Sequence, residues 1–290
     1  MVLNLLPLPA IARFAASSFA HRQGVAILFR GRLRALVNQF FSHPYLFMDA
    51  LIGAQGVVSG SCALRIIFAL ETRGWEASDL DVYVPRGKVA IMTRFLLSAG
   101  YLSPTVHHAG YHAYDAILTV SSFQKNGHKV DIIESCNSSA VAPILAFHLT
   151  ALMNYVTPLS IFSAYAGFTT RRQAVVNPIL FDRGQLTLRT CLALAKYRER
   201  GFEILSTSQS YLRQTQFMGE RGHVCGRAAA CALTCRSTND EHCVFIQFGG
   251  QLYEECEYES PIVVDWCLGG RLCNLTLGYQ LPYVMVQRSM

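Results

Sequence analysis

Charge is scarce in this chain of 290 residues: Asp, Glu, Lys and Arg make up only 15% of it, while 51% is hydrophobic and the mean hydropathy is +0.26. That balance excludes a largely disordered protein, because so much apolar surface offsets the entropy of folding. Acid is missing altogether from residues 1–48, which hold Arg13, Arg22, Arg30, Arg32 and Arg34; the first carboxylate is Asp49. The reverse holds from Asp240 to Asp265, where seven acidic residues face no Lys or Arg. A basic end can attract phosphates or an anionic surface, although two solvated faces of opposite sign are the simpler reading of the pattern. No cluster of Lys and Arg with interleaved aromatics marks a nucleic-acid surface, so nucleic acid is an unsupported partner.

Other absences narrow the class further. There is no internal repeat and no low-complexity tract. Residues 135–170 carry no charge, yet Asn137, Pro143, His148, Asn154 and Pro158 interrupt the run. A helix buried in protein, bracketed by Pro143 and Pro158, is expected there rather than a membrane span. The first twenty residues lack a basic n-region, and Arg13 breaks their apolar run, so a secretory signal is not expected. A cytoplasmic chain with reduced cysteines follows, with a mitochondrial transit segment as the lesser alternative. No Cys-x-x-Cys pair occurs among the ten cysteines, seven of which follow residue 206. Cys225, Cys231, Cys235 and Cys243, with His223, are therefore read as buried thiols before a zinc site. His107, His108 and His112 near Asp115 lie in strand-like surroundings with Gly110, against a zinc helix, and His148 reads as a core histidine.

The pattern that is present begins with an amphipathic helix over residues 32–51 and a short strand at Val57-Val58-Ser59. A helix over 63–70, a strand over 80–84 and a helix over 89–98 follow. Strands over 114–123 and 128–133 flank Asn126-Gly127, a strong hairpin signal. Residues 141–205 read as helical, including a helix over 186–200. Short strand-like runs at 243–248 and 261–267 come last. The expected fold class is α/β (α+β), a mixed sheet with flanking helices. The expected parts are an N-terminal extension (1–30), a core (31–135), a helical segment (136–205) and a small cysteine-containing β-rich module (206–290).

Three local constellations carry chemistry. The strand 57–59 runs through Gly60 and Ser61 into a helix. Gly60 lets a phosphate approach the backbone, Ser61 offers a hydroxyl, and the helix start presents free N–H groups. In Asp79-Leu80-Asp81-Val82 the two carboxylates, i and i+2 on a strand, share a face. Such a pair repels itself and suits a hard divalent cation. Asp131, within Val130-Asp131-Ile132-Ile133, is costly to bury unless it faces a cation or a cleft.

In this order the three pieces resemble the polymerase β-like nucleotidyltransferases, over roughly residues 30–205. The chain also resembles a large set of uncharacterised fungal proteins predicted to have that fold. Further marks are Phe147-His148-Leu149-Thr150-Ala151-Leu152-Met153-Asn154 and Lys196-Tyr197-Arg198-Glu199-Arg200-Gly201-Phe202. The resemblance implies a nucleoside monophosphate transferred from an NTP, such as ATP, to a hydroxyl or phosphate acceptor. It implies Mg2+ or Mn2+ held by Asp79, Asp81 and Asp131, with Gly60, Ser61 and Lys196 on the phosphates. The seventeen residues between Ser61 and Asp79 exceed the family's usual gap. A catalytically inactive scaffold of the same fold is the alternative.

Overall fold

The computed structural model describes residues 2–68, 78–108, 116–178, 188–206, 226–229, 231–248, 263–271, 279–280 and 282–287. Two helices come first, α1 (Leu8–Ser17) and α2 (Phe19–Val37). The Ser18 side chain caps α2 by accepting from the His21 N–H at 3.1 Å. The first thirty residues are thus built into the body of the fold rather than extending from it: Leu8, Ile11, Val25 and Phe29 are buried in the main core.

Residues 32–51, expected as one helix, are two. The second, α3 (Pro44–Gly53), starts at a proline that lacks the N–H to continue α2. The apolar stripe survives the break, because Phe41 stacks on Phe47 at 4.9 Å across it.

From there the alternation follows expectation: β1 (Val57–Ser59), α4 (Gly60–Phe68), β2 (Asp79–Val84) and α5 (Val89–Ser98). Then come β3 (Thr105–His108), β4 (Ile117–Lys125) and β5 (His128–Ser135). The β4–β5 hairpin turns through Asn126 (φ 50°) and Gly127 (φ 81°), the positive angles that an Asn-Gly turn supplies cheaply. The extra length between Ser61 and Asp79 falls largely at 69–77, outside the described residues.

The stretch expected to be helical is mostly not. After a one-turn α6 (Ala142–Leu145) it forms β6 (Asn154–Val156) and β7 (Ser160–Ser163), then α7 (Ala166–Thr170) and β8 (Gln173–Val175). An unbroken apolar run suits a buried strand as well as a buried helix. Pro158 sits in the turn between β6 and β7, where the Thr157 N–H donates to the Ser160 carbonyl at 2.8 Å. Among the described residues of this stretch only α8 (Leu188–Glu199) is a long helix, and β9 (Glu203–Leu205) follows it to pair in parallel with β8.

The last third holds β10 (Arg236–Ser237), β11 (Val244–Gln247), β12 (Val264–Cys267), β13 (Gly270–Arg271), β14 (Tyr279–Gln280) and β15 (Tyr283–Val286). It is not one separate module. Strand β11 closes an eight-stranded sheet of order β11-β7-β6-β1-β2-β5-β4-β3, while β10, β12 and β15 form a small sheet of their own.

The large sheet is mixed, and helices pack on it. Leu80, Val82, Val130 and Ile132 face a core shared with α2 to α5. Val57, Tyr83 and Ile133 face a second core with α6 and Trp266 of the small sheet. Among the described residues no helix is long and apolar enough to cross a membrane.

Candidate active site

Strand β1 ends at Ser59, buried and donating its Oγ to the Asn154 carbonyl at 2.6 Å. The chain then turns through Gly60, whose φ of 64° lies in the left-handed region that glycine adopts without strain. A side chain could not stand there for a second reason: a Cβ on Gly60 would overlap the Asp81 carboxylate. Ser61 follows in the first turn of α4, so free backbone N–H groups, a hydroxyl and a carboxylate meet at one point.

Pairing brings the remaining carboxylates to this turn. Strand β2 runs antiparallel to β1, with Ser59 opposite Asp81. It runs parallel to β5, with Asp81 level with Asp131 and Asp79 level with Lys129. Alternation along the strands puts Asp79, Asp81, Lys129 and Asp131 on one face, adjacent strands being about 4.8 Å apart. Leu80, Val82, Val130 and Ile132, all fully buried, hold that register from the other face.

The charges are unevenly compensated. Burial, and then the charges of Asp131 and Asp79, push the Asp81 carboxyl up to about 7, against the pull of Lys129 and Lys196. Asp131 is held on both oxygens: Ser122 Oγ donates to Oδ1 at 2.7 Å and Lys129 Nζ to Oδ2 at 2.6 Å. Among the described residues, no three His, Cys, Asp or Glu side chains gather into a group that could hold a metal ion. The fit to a divalent cation therefore rests on donor chemistry: hard carboxylate oxygens on neighbouring strands, one of them hard to ionise beside the others.

Helix α8 supplies the cationic wall. Arg200 Nη1 donates to Ser61 Oγ at 2.8 Å, and Tyr197 Oη lies 3.2 Å from the same hydroxyl. Burial lowers the Arg200 pKa and raises that of Tyr197. Lys196 is exposed one residue before Tyr197, and its charge reaches Asp81. The helix is pinned against the end of α4. Phe202 packs on Phe68 and Tyr197 at 5.8 and 6.0 Å, and Arg172 Nη1 donates to the Arg200 carbonyl at 2.8 Å. Gly201, with φ 81°, ends α8 with paired bonds, Phe202 N–H to the Tyr197 carbonyl and Gly201 N–H to that of Arg198.

The structure thus gathers Gly60, Ser61, Asp79, Asp81, Asp131 and Lys196 at one corner of the sheet. It adds three residues to which the sequence reading gave no role, Arg200, Tyr197 and Ser122, and it pairs Asp131 with Lys129, the one cation close to it in the sequence. Arg200 and Tyr197 lie inside the 196–202 segment, and Lys129 stands two residues before Asp131, so spacing alone held a hint of each.

Other candidates fare differently. His107 and His108 are exposed on β3, while His112 and Asp115 lie outside the described residues. Cys225 and His223 also lie outside them. Cys231 is buried, Cys235 exposed and Cys243 half-buried. His148 is half-buried beside Phe147. No protein-family profile, curated protein sequence or solved structure matches this chain.

Proposed function

We propose that this corner binds a nucleoside triphosphate with a divalent cation and transfers its nucleoside monophosphate to a hydroxyl or phosphate acceptor, breaking the α–β phosphoanhydride bond and releasing pyrophosphate. One observation carries the reading: Asp81, level with Asp131 and two residues from Asp79, presses against a Gly60-Ser61 turn that opens a helix. This joins a cation-seeking face to an anion-seeking backbone, as a metal-bound triphosphate requires. In this reading Asp79, Asp81 and Asp131 hold Mg2+ or Mn2+, which when bound neutralises phosphate charge. The N–H groups at the start of α4 and the Ser61 hydroxyl take phosphate oxygens. Arg200 stands behind Ser61 as their counter-charge, and Lys196 adds another from the rim. Asp131 faces the acceptor.

A second reading, a nucleotide-binding scaffold without transfer, draws on Asp131 having both oxygens engaged by the protein itself. Melting of the native chain and of Asp79→Ala with each NTP, with and without Mg2+, joined to an assay of pyrophosphate release, separates the two. Ligand at about 100 times its Kd raises stability by roughly 2.7 kcal/mol. A Mg2+-dependent shift abolished by Asp79→Ala supports the metal-bound triphosphate site, and pyrophosphate released by the native chain but not by Asp79→Ala supports transfer. A shift indifferent to Mg2+ and to Asp79 supports the scaffold, and no shift with any nucleotide sinks both.

A further inference from the structure

We infer that Lys129 is the resident counter-ion of the carboxylate face, and that a divalent cation binds only by displacing its ammonium from Asp131. This rests on the reading of the corner as a metal and nucleotide site.

Three observations carry it. Lys129 stands two residues before Asp131 on β5, on the same face, and level with Asp79 on β2. Its Nζ therefore lies on the carboxylate side of the sheet, 2.6 Å from Asp131 Oδ2. The other Asp131 oxygen accepts from Ser122, so a cation arriving at Oδ2 meets the Lys129 ammonium on the same atom, and the repulsion between the two positive charges drives the lysine off. Departure is also cheap. The Lys129 side chain is 38% exposed while that of Asp131 is 14% exposed, so the ammonium can swing into water without opening the core. Without Lys129, Asp131 and Asp81 would face each other across one strand spacing with less compensation. The lysine thus keeps the empty face tolerable, at the expense of competing with whatever cation arrives.

Mn2+ titration of the full chain, followed by the paramagnetic resonance of free Mn2+, tests this with Lys129→Met, Lys129→Arg and Asp81→Asn. Melting in EDTA and in saturating Mn2+ supplies a second readout. Lys129→Met should bind Mn2+ about fivefold more tightly than the native chain, the worth of a partly exposed ion pair. It should also melt lower in EDTA and recover in Mn2+, while Lys129→Arg stays near native in both. Unchanged or weaker Mn2+ binding in Lys129→Met overturns the displacement while leaving the metal site in place. Failure to find any Mn2+ binding sensitive to Asp81→Asn, in the native or the Lys129→Met background, overturns the metal reading and this inference with it.

Discussion

Replacing Asp81 by asparagine should stabilise the metal-free protein, and by an amount that depends on pH. The substitution keeps the shape of the side chain and removes only its ability to ionise. In the folded chain, burial and the charges of Asp131 and Asp79 hold the Asp81 carboxyl at about 7, against 3.8 for an ordinary aspartate. The sign follows directly. Between these values the unfolded chain has released the proton while the folded chain still binds it, so folding loses stability as pH rises from about 4 to 7. Above 7 the full penalty applies, and at ~1.36 kcal/mol per pH unit that interval is worth at most about 4 kcal/mol. Asp81 is partly open to water, which screens its neighbours, so about 1–3 kcal/mol is expected. Urea unfolding in EDTA from pH 4 to 8.5 reads the difference between the two proteins. Asp81→Asn should be the more stable above pH 7, with the advantage shrinking toward pH 4; added Mg2+ should favour the native chain. A native protein more stable than Asp81→Asn at pH 8 in EDTA, or a difference flat in pH, would refute the electrostatic account of this site.

Gly60→Ala should cost about 2–3 kcal/mol, from a left-handed backbone angle and from a methyl group driven into the Asp81 carboxylate. Urea unfolding measures the loss, and melting with NTP and Mg2+ should show no ligand shift; unchanged stability would mean that Asp81 does not crowd the turn. Away from the site, Arg236→Met should destabilise by about 3–5 kcal/mol. The Arg236 guanidinium is buried between the rings of Tyr165 and Trp266, at 4.6 and 5.0 Å, and makes a two-pronged contact with Asp240. Burial alone would raise the Asp240 pKa, but the Arg236 bond lowers it below the usual value. The native protein should therefore lose this contribution as pH falls through the acid range while Arg236→Met loses less, which paired urea curves at pH 7 and pH 3 would show.

What the sequence disclosed was local chemistry. Gly60-Ser61 before a helix, Asp79 and Asp81 on alternate positions of a strand, and Asn126-Gly127 in a hairpin each depend on neighbours a few residues away. The break at Pro44 was equally local, yet the apolar stripe running through Phe40, Phe41 and Phe47 masks it, since those rings do pack together. Residues 154–163 were opaque for another reason. Once every side chain of a segment is buried, as here, neither the period of a helix nor that of a strand is visible. Tyr197 and Arg200 belong to a third kind. Their partner Ser61 lies 136 and 139 residues away, and tertiary contacts such as Phe202 on Phe68 and Arg172 on the Arg200 carbonyl bring α8 to it.

The site's geometry is a by-product of how the sheet face is divided. Among the described strands of the eight-stranded sheet β2 and β5 are the one parallel pair, and on their second face both pass from charged residues to a buried apolar one. Asp79 and Asp81 give way to Tyr83, and Lys129 and Asp131 to Ile133, which is buried with Val57 beneath the small sheet. Because the two strands point the same way, their polar ends coincide; an antiparallel pair centred on Asp81 and Asp131 would have set Asp79 against Ile133 and Lys129 against Tyr83. A slip of one residue would turn Asp131 into the helical core and Ile132 out of it, an exchange that the burial of Val130 and Ile132 forbids. Four fully buried aliphatic side chains, Leu80, Val82, Val130 and Ile132, therefore hold two mutually repelling carboxylates side by side. The core energy that fixes the register outweighs the repulsion that would otherwise separate them, which is how a fold can keep charge concentrated at one corner ready for a ligand of opposite sign.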